Sequence, residues 1–346
     1  MYFTVDEQER ARGSLTATKL AEVLAAIEER GFAVLAGVIS ADTCERLAEA
    51  ILEDTARVRA AGQRTQHEER TGVGHLQLGL RRYAPWVSAD LVANPLIECV
   101  VAGVLGEGAW LGFYNGNVNC PGSTHQPVHF DRPFSWTSAE AAARDGERWP
   151  PPPTTLSCSV ALQAITRENG PTDIWPGSHH ETAVIGWPRG TRVSEHPELL
   201  ASWGDPEQMT IPAGGVCLRD PRMWHRGVPN PGDTPRPMMA VTYHSRRGRH
   251  WRGLLQPNLE PSTRARLEAD STLRVLDSGD LGDGRLVFHE SARPAFEASP
   301  NLHGVNRNVR FVDDPLFVNH FLDAHLTGGA RIVEGRDLQV LPAATA

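Results

Sequence analysis

The chain has 346 residues, is 40% hydrophobic and 22% charged, and carries a formal net charge of −8. This balance suits a globular fold with a sizeable core. The negative charge offers no global basic field for nucleic acid or an anionic membrane, and five scattered cysteines without C-x-x-C spacing exclude a zinc knuckle and a disulfide framework.

The opening MYFTVDEQERARG has acids and no apolar stretch, so it does not read as a signal peptide. Leu20, Val23, Leu24 and Ile27 recur at helical spacing, with Gly31 as a stop. Phe32 to Val38 reads as a short apolar strand. Ser40-Ala-Asp-Thr starts a second helix with Leu47, Ile51 and Leu52 on one stripe. Residues 61–73 are polar and read as a loop. Leu76, Leu78 and Leu80 alternate with His75, Gln77 and Gly79, which predicts a strand with one polar face. Pro85 to Leu105 reads as one or two helices. The apolar window Leu96 to Phe113 carries Glu98 and Glu107 and is broken by glycines, so it is not a membrane span.

From Ala109 the period is that of strands. Trp110–Val118, Val128–Phe130, Thr154–Ile165, Gln208–Ile211, Val216–Arg219 and Met238–Ser245 are separated by turns such as Glu168-Asn-Gly-Pro, Pro176-Gly-Ser and Pro229-Asn-Pro-Gly. Many short strands joined by turns predict a mainly β fold with flanking helices, a sandwich or jelly roll of the architecture that includes cupins. Residues 137–153, with Ala139 to Ala143, Trp149 and four prolines, interrupt the pattern as a surface insertion. A basic cluster, Arg246 to Arg252, follows the last strand, and Leu316 to Leu326 is the best helix of the final hundred residues. No repeat or linker divides the chain. We read one domain: an N-terminal helical layer (1–107), a jelly-roll core (108–246) with a lid insertion (133–153), and a C-terminal extension (247–346).

His129-Phe130-Asp131 carries the chemistry. Residues i and i+2 of a strand share a face, so His129 and Asp131 can both look into a barrel. His179/Glu181 and His196/Glu198 have the same spacing but sit beside Pro turns and read as surface residues or caps. His225 alone would pass for a core or surface histidine. With His129 and Asp131 it completes two histidines and one carboxylate, a set that holds a non-haem Fe(II) on one face and leaves three positions open. Arg236, eleven residues beyond His225, precedes the apolar run Met238 to Tyr243. Projecting into a barrel, it needs a permanent anionic partner, and a dicarboxylic cosubstrate supplies one through a bidentate pair. Lys19 is the one lysine, so an arginine is expected in that role.

Gln126-Pro-Val-His-Phe-Asp131, Glu168-Asn-Gly-Pro with Pro176-Gly-Ser-His179, and Trp224-His-Arg-Gly with Arg236-Pro together resemble the phytanoyl-CoA dioxygenase family of Fe(II)/2-oxoglutarate oxygenases. Gly31-Phe-Ala-Val-Leu with Ile39-Ser resembles the family's first strand and helix start. The resemblance implies a double-stranded β-helix, His129, Asp131 and His225 on iron, and Arg236 on the distal carboxylate of 2-oxoglutarate. It adds Gln126 and Asn117 as further cosubstrate contacts by position, although turn or strand-edge hydrogen bonding serves either residue equally well. Gln77, Phe134 and Trp136 are the candidate substrate neighbours. The implied activity is oxidation, most simply hydroxylation, of a small organic substrate by a cytoplasmic enzyme using O2 and releasing succinate and CO2. Few lysines with abundant Ala, Arg and Gly fit a GC-rich bacterial source and specialised metabolism. The other class open to such a barrel is a metal-binding cupin isomerase or a non-catalytic ligand-binding module, and neither needs a buried arginine at Arg236.

Overall fold

The computed structural model describes residues 1–245 apart from 61–67, 69–70, 80–87, 93, 107–108 and 188–190, and beyond 245 only short strand segments. Most of the predicted 61–73 loop, and the basic cluster after Ser245, lie outside the described residues.

Helices gather at the N-terminal end. After β1 (Tyr2–Thr4) come α1 (Glu7–Arg12) and α2 (Ala17–Arg30), β2 (Phe32–Ala36), and α3 (Ala41–Ala60). The Thr16 side chain caps α2 by accepting from Lys19 N, and Gly31 ends it at φ +83. A Cβ at Gly31 would lie 2.7 Å from His179 Nδ1 and 2.9 Å from Met223 Sδ, so both conformation and space require glycine there. Strand β3 (His75–Gly79) precedes α4 (Ala89–Val92) and α5 (Pro95–Leu105), the second of which starts with an Asn94 cap and Pro95 in its first turn.

The remaining strands are β4 (Trp110–Asn119), β5 (Thr155–Ala161), β6 (Thr172–Ile174), β7 (Glu207–Met209), β8 (Val216–Arg219), β9 (His225–Gly227) and β10 (Arg236–His244). They form a seven-stranded sheet in the order β1-β2-β8-β5-β10-β4-β3 and a three-stranded sheet in the order β7-β6-β9. Apart from the parallel β1–β2 pair, both sheets are antiparallel. The fold is the jelly-roll, double-stranded β-helix class.

Alternation divides the large sheet into two chemically different faces. Leu76, Leu78, Tyr114, Val118, Leu156, Val160, Leu218, Val241 and Tyr243 face outward and join Val23, Ile27, Leu47, Ile51, Ile97 and Val100 of the helices in the main core. Full burial of each such side chain is worth roughly 1.5–3 kcal/mol, which locks the helical layer onto the sheet. A second apolar cluster, including Phe32, Val34, Ala161, Ile174, Met209, Cys217 and Met238, fills part of the barrel interior. The rest of the inner face is mostly polar, with Phe113 and Ala240 among it.

Several expectations are corrected. Val128–Phe130 shrinks to a single bridge between His129 and His225, and β6 and β9 are strands in segments left out of the predicted strands, between or ahead of the named turns. These strands are three residues long, too short for a clear period of two. The helix expected over Leu316–Leu326 lies mostly outside the described residues. Within it Asp323–His325 pairs antiparallel with Gly329–Arg331, the intervening Thr-Gly being turn-forming in sequence.

The 133–153 segment carries α6 (Ala139–Arg144), capped by Ser138, and is tied down at several points. Arg222 lies 4.9 Å over the Phe134 ring and donates from Nη1 to the Pro151 carbonyl at 2.8 Å. Trp136 donates to Asp145 at 2.8 Å, and Arg148 pairs with Glu28 of α2 at 2.6 Å.

Candidate metal centre and cosubstrate pocket

Pairing register arranges the inner face of the large sheet in rows. Arg219, Ser157, Thr242 and Phe113 form one row, followed by Cys217, Ser159, Ala240 and Asn115. Next come Ala161, Met238, Asn117 and Gln77, and then Arg236, Asn119 and His75. A cavity of about 380 Å³ lies over these rows, lined among others by Gln77, Asn117, Gln126, Arg219 and Arg236 and by His129, Asp131 and His225. A wider groove of about 970 Å³, beside Arg167, Asp173 and Arg226, contains none of the predicted site residues.

The antiparallel bridge between His129 and His225 brings the two rings to a centroid separation of 4.4 Å. His129 Nε2 is 3.7 Å from Asp131 Oδ1, and His225 Nε2 is 3.4 Å from Asp131 Oδ2. The ligand atoms of the three residues all lie within 4.8 Å of one another. Backbone carbonyls set the tautomers. His129 Nδ1 donates to Pro127 O at 2.8 Å and His225 Nδ1 to Met223 O at 3.0 Å, so each Nε2 keeps its lone pair for a metal. Burial, reinforced by the neighbouring His225, pushes the His129 pKa down to about 3. The enclosing protein also opposes charge on Asp131, although its side chain is 40% exposed, but His225 and Arg219 outweigh this and hold the carboxyl well below its ordinary range. Two imidazoles and one carboxylate, converging at a cavity wall, are the donor set that fits Fe(II).

Arg236 starts β10 and is buried. Its Nη2 donates to the Gly170 carbonyl at 2.7 Å, its Nε has no partner, and burial pushes its pKa down to about 10. The Glu168-Asn-Gly-Pro turn therefore supports the pocket. Gly170, at φ +77, presents its carbonyl to both Arg236 and Asn119, and a Cβ there would lie 2.3 Å from Asn119 Nδ2. A buried guanidinium with no carboxylate among the described residues fits the far acid of a dicarboxylate.

The other predicted residues sort by position. Gln77 and Asn117 face each other in the β3–β4 register and line the cavity, with Asn117 Oδ1 buried and unpartnered. Gln126 also lines it while accepting from Gly227 N at 2.8 Å, a strand-edge bond. Phe134 and Trp136 are buried and do not line this cavity; Phe134 packs in a cluster with Trp175, Val184 and Trp224. His179, read as a surface residue or cap, is 2% exposed and bonds the Glu28 carbonyl at 3.0 Å, fastening the Pro-Gly-Ser-His turn to α2.

Sequence reasoning passed over Arg219, which donates from Nη2 to Asp131 Oδ2 at 2.8 Å. Its guanidinium lies along the His225 ring, with Nη1 3.0 Å from Nδ1 and Nη2 3.3 Å from Nε2. The available signal was a charged residue ending an apolar run, Val216-Cys-Leu-Arg219, on the same strand face as Cys217.

A model of the phytanoyl-CoA dioxygenase family matches residues 27–238, more than half the chain, a span that includes His129, Asp131, His225 and Arg236. The chain belongs to the phytanoyl-CoA dioxygenase family. Phytanoyl-CoA dioxygenase family enzymes depend on Fe(II) and 2-oxoglutarate and use O2. The chain is similar to the dioxygenase andF of Emericella variicolor, 23% identical over 237 residues, which covers 66% of this chain and 74% of that protein. It also resembles the solved structure of EvdMO1, with a TM-score of 0.47 and 19% identity over 66% of this chain, spanning half the length of that one. The structure of the non-heme alpha ketoglutarate dependent carbocyclase SnoK from nogalamycin biosynthesis aligns with a TM-score of 0.47 and 18% identity, over 65% of this chain and 83% of the other. Among the described residues no helix is long and apolar enough to cross a membrane.

Proposed function

We propose that the chain is an Fe(II)/2-oxoglutarate-dependent dioxygenase that hydroxylates a small organic substrate, in bacterial specialised metabolism. One observation carries the reading. The convergent donors of His129, Asp131 and His225 share a cavity with Arg236, a buried arginine that no acid partners among the described residues. A cupin isomerase or a passive binding barrel would keep the metal site without needing that cation.

His129 and His225 offer their Nε2 lone pairs because Pro127 O and Met223 O hold the opposite ring protons. Asp131 supplies the anionic ligand, steadied by Arg219. Arg236 takes the C5 carboxylate of 2-oxoglutarate, with Asn117 and Gln126 beside it. Bound there, iron and 2-oxoglutarate would supply oxidative chemistry with O2 that turns the cosubstrate into succinate and CO2. The protein's part is to align the reactants and keep water out of the barrel. Because Asp131 is present as a ligand, no position is vacated for a halide, which favours hydroxylation over halogenation.

Anaerobic titration of the full chain with Fe(II) and 2-oxoglutarate tests the reading. A weak visible charge-transfer band that needs both components is expected. If no band forms with either order of addition, the assignment is wrong.

A further inference from the structure

The charges lining the cavity do not balance once its cofactors are counted. Among the described residues the carboxylate on its wall is Asp131, against the guanidinium groups of Arg132, Arg219 and Arg236. One carboxylate cannot offset three guanidinium groups, and the metal dication and the 2-oxoglutarate dianion cancel. Positive charge is left without a counter-ion in the cavity, which is costly unless an anion arrives.

The rows of the sheet say where the anion goes. Arg236 stands in the last row, and the cosubstrate assigned to it occupies that end. Arg219 stands in the first row, beside Ser157 and Thr242, with Ser159 in the next. Apart from its bond to Asp131 and its contact with the His225 ring, Arg219 has a long 3.5 Å approach from Nη1 to the Met223 carbonyl, so donor capacity remains. The strand face beside it offers hydroxyls, with Phe113 at one edge. Such a surface is poor for a hydrocarbon and good for a molecule that hydrogen-bonds along its length. Excess positive charge calls for an anion, and a guanidinium is the natural partner of a carboxylate.

We propose that the substrate is a small carboxylic acid with a polar body, its carboxylate received by Arg219 and its body resting on Ser157, Ser159 and Thr242. This rests on the Fe(II)/2-oxoglutarate reading, because that reading supplies the charges in the sum.

The test uses the full chain with Fe(II) and 2-oxoglutarate under anaerobic conditions. A panel of small hydroxy- and amino-carboxylic acids, each with its methyl ester, is titrated while the charge-transfer band is followed. The acids are expected to shift the band and the esters to do so at least tenfold more weakly. Arg219→Gln should remove that preference and Arg219→Lys restore part of it. Because Arg219 also touches Asp131, a Ser157→Val/Ser159→Val double variant gives an independent reading, with acid binding expected at least fivefold weaker. Esters that bind as well as acids, a panel in which no acid shifts the band, or unchanged acid binding in the double variant would overturn the proposal while leaving the band, and the assignment of iron and cosubstrate, in place. A band that never forms in the wild-type chain removes that assignment and the proposal together.

Discussion

Arg236 donates from Nη2 to the Gly170 carbonyl at 2.7 Å and, among the described residues, meets no carboxylate. A carbonyl dipole offsets only part of a buried positive charge. The remainder is left uncompensated, so the residue costs stability, and in its proposed role it would supply affinity once 2-oxoglutarate arrives.

Arg236→Leu should therefore have opposite effects on two measurements. Binding of 2-oxoglutarate should weaken by roughly 2–5 kcal/mol in a titration with Fe(II) present. The unliganded protein should be no less stable in a denaturant titration, since an unpaired buried cation has been removed. A variant that binds 2-oxoglutarate like wild type would place the cosubstrate elsewhere.

His225→Ala should abolish stoichiometric Fe(II) binding. The change removes one of three converging ligand atoms and leaves Arg219 beside a hole instead of an imidazole. Metal content by elemental analysis after Fe(II) loading reads the outcome, and undiminished iron would sink the triad.

The buried His179 predicts an acid-side loss of stability. Burial, opposed by the Asp220 charge, lowers its pKa from 6.5 to about 4. Below pH 6.5 the unfolded chain takes up a proton that the folded chain refuses, so stability falls as pH drops and levels off below about 4. The full effect is about 3 kcal/mol at 1.36 kcal/mol per pH unit. His179→Gln should flatten the wild-type slope between pH 6.5 and 4 in urea unfolding. Parallel slopes would show that the imidazole titrates freely.

The 133–153 segment is proposed as a lid, anchored where Arg222 meets both Phe134 and Pro151. Deleting Ala139 to Gly146 should leave Fe(II) and 2-oxoglutarate binding in place, lower substrate oxidation at least tenfold, and raise uncoupled succinate formation. Unchanged coupling would make the segment a surface decoration.

Local chemistry made much of this protein legible. His129 and Asp131 were readable because i and i+2 share a side whether the backbone forms a full strand or a single bridge. Gly31 marked a helix end because it alone tolerates the backbone there, and Arg236 stood out as a charge ahead of an apolar strand. The tertiary structure decided what depends on register and on pairs distant in the chain. Arg219 and Asp131 are 88 residues apart and meet through the packing of two sheets, which no sequence period encodes. Phe134 follows Asp131 closely yet packs into another cluster, and Trp136 bonds Asp145, as the chain turns away where Asp131 N bonds the Pro221 carbonyl at 2.8 Å. His179 looked like a turn residue, and its burial depends on α2 crossing above it to present the Glu28 carbonyl. Periodicity tells which side chains share a face, whereas only the pairing of distant strands tells what that face confronts.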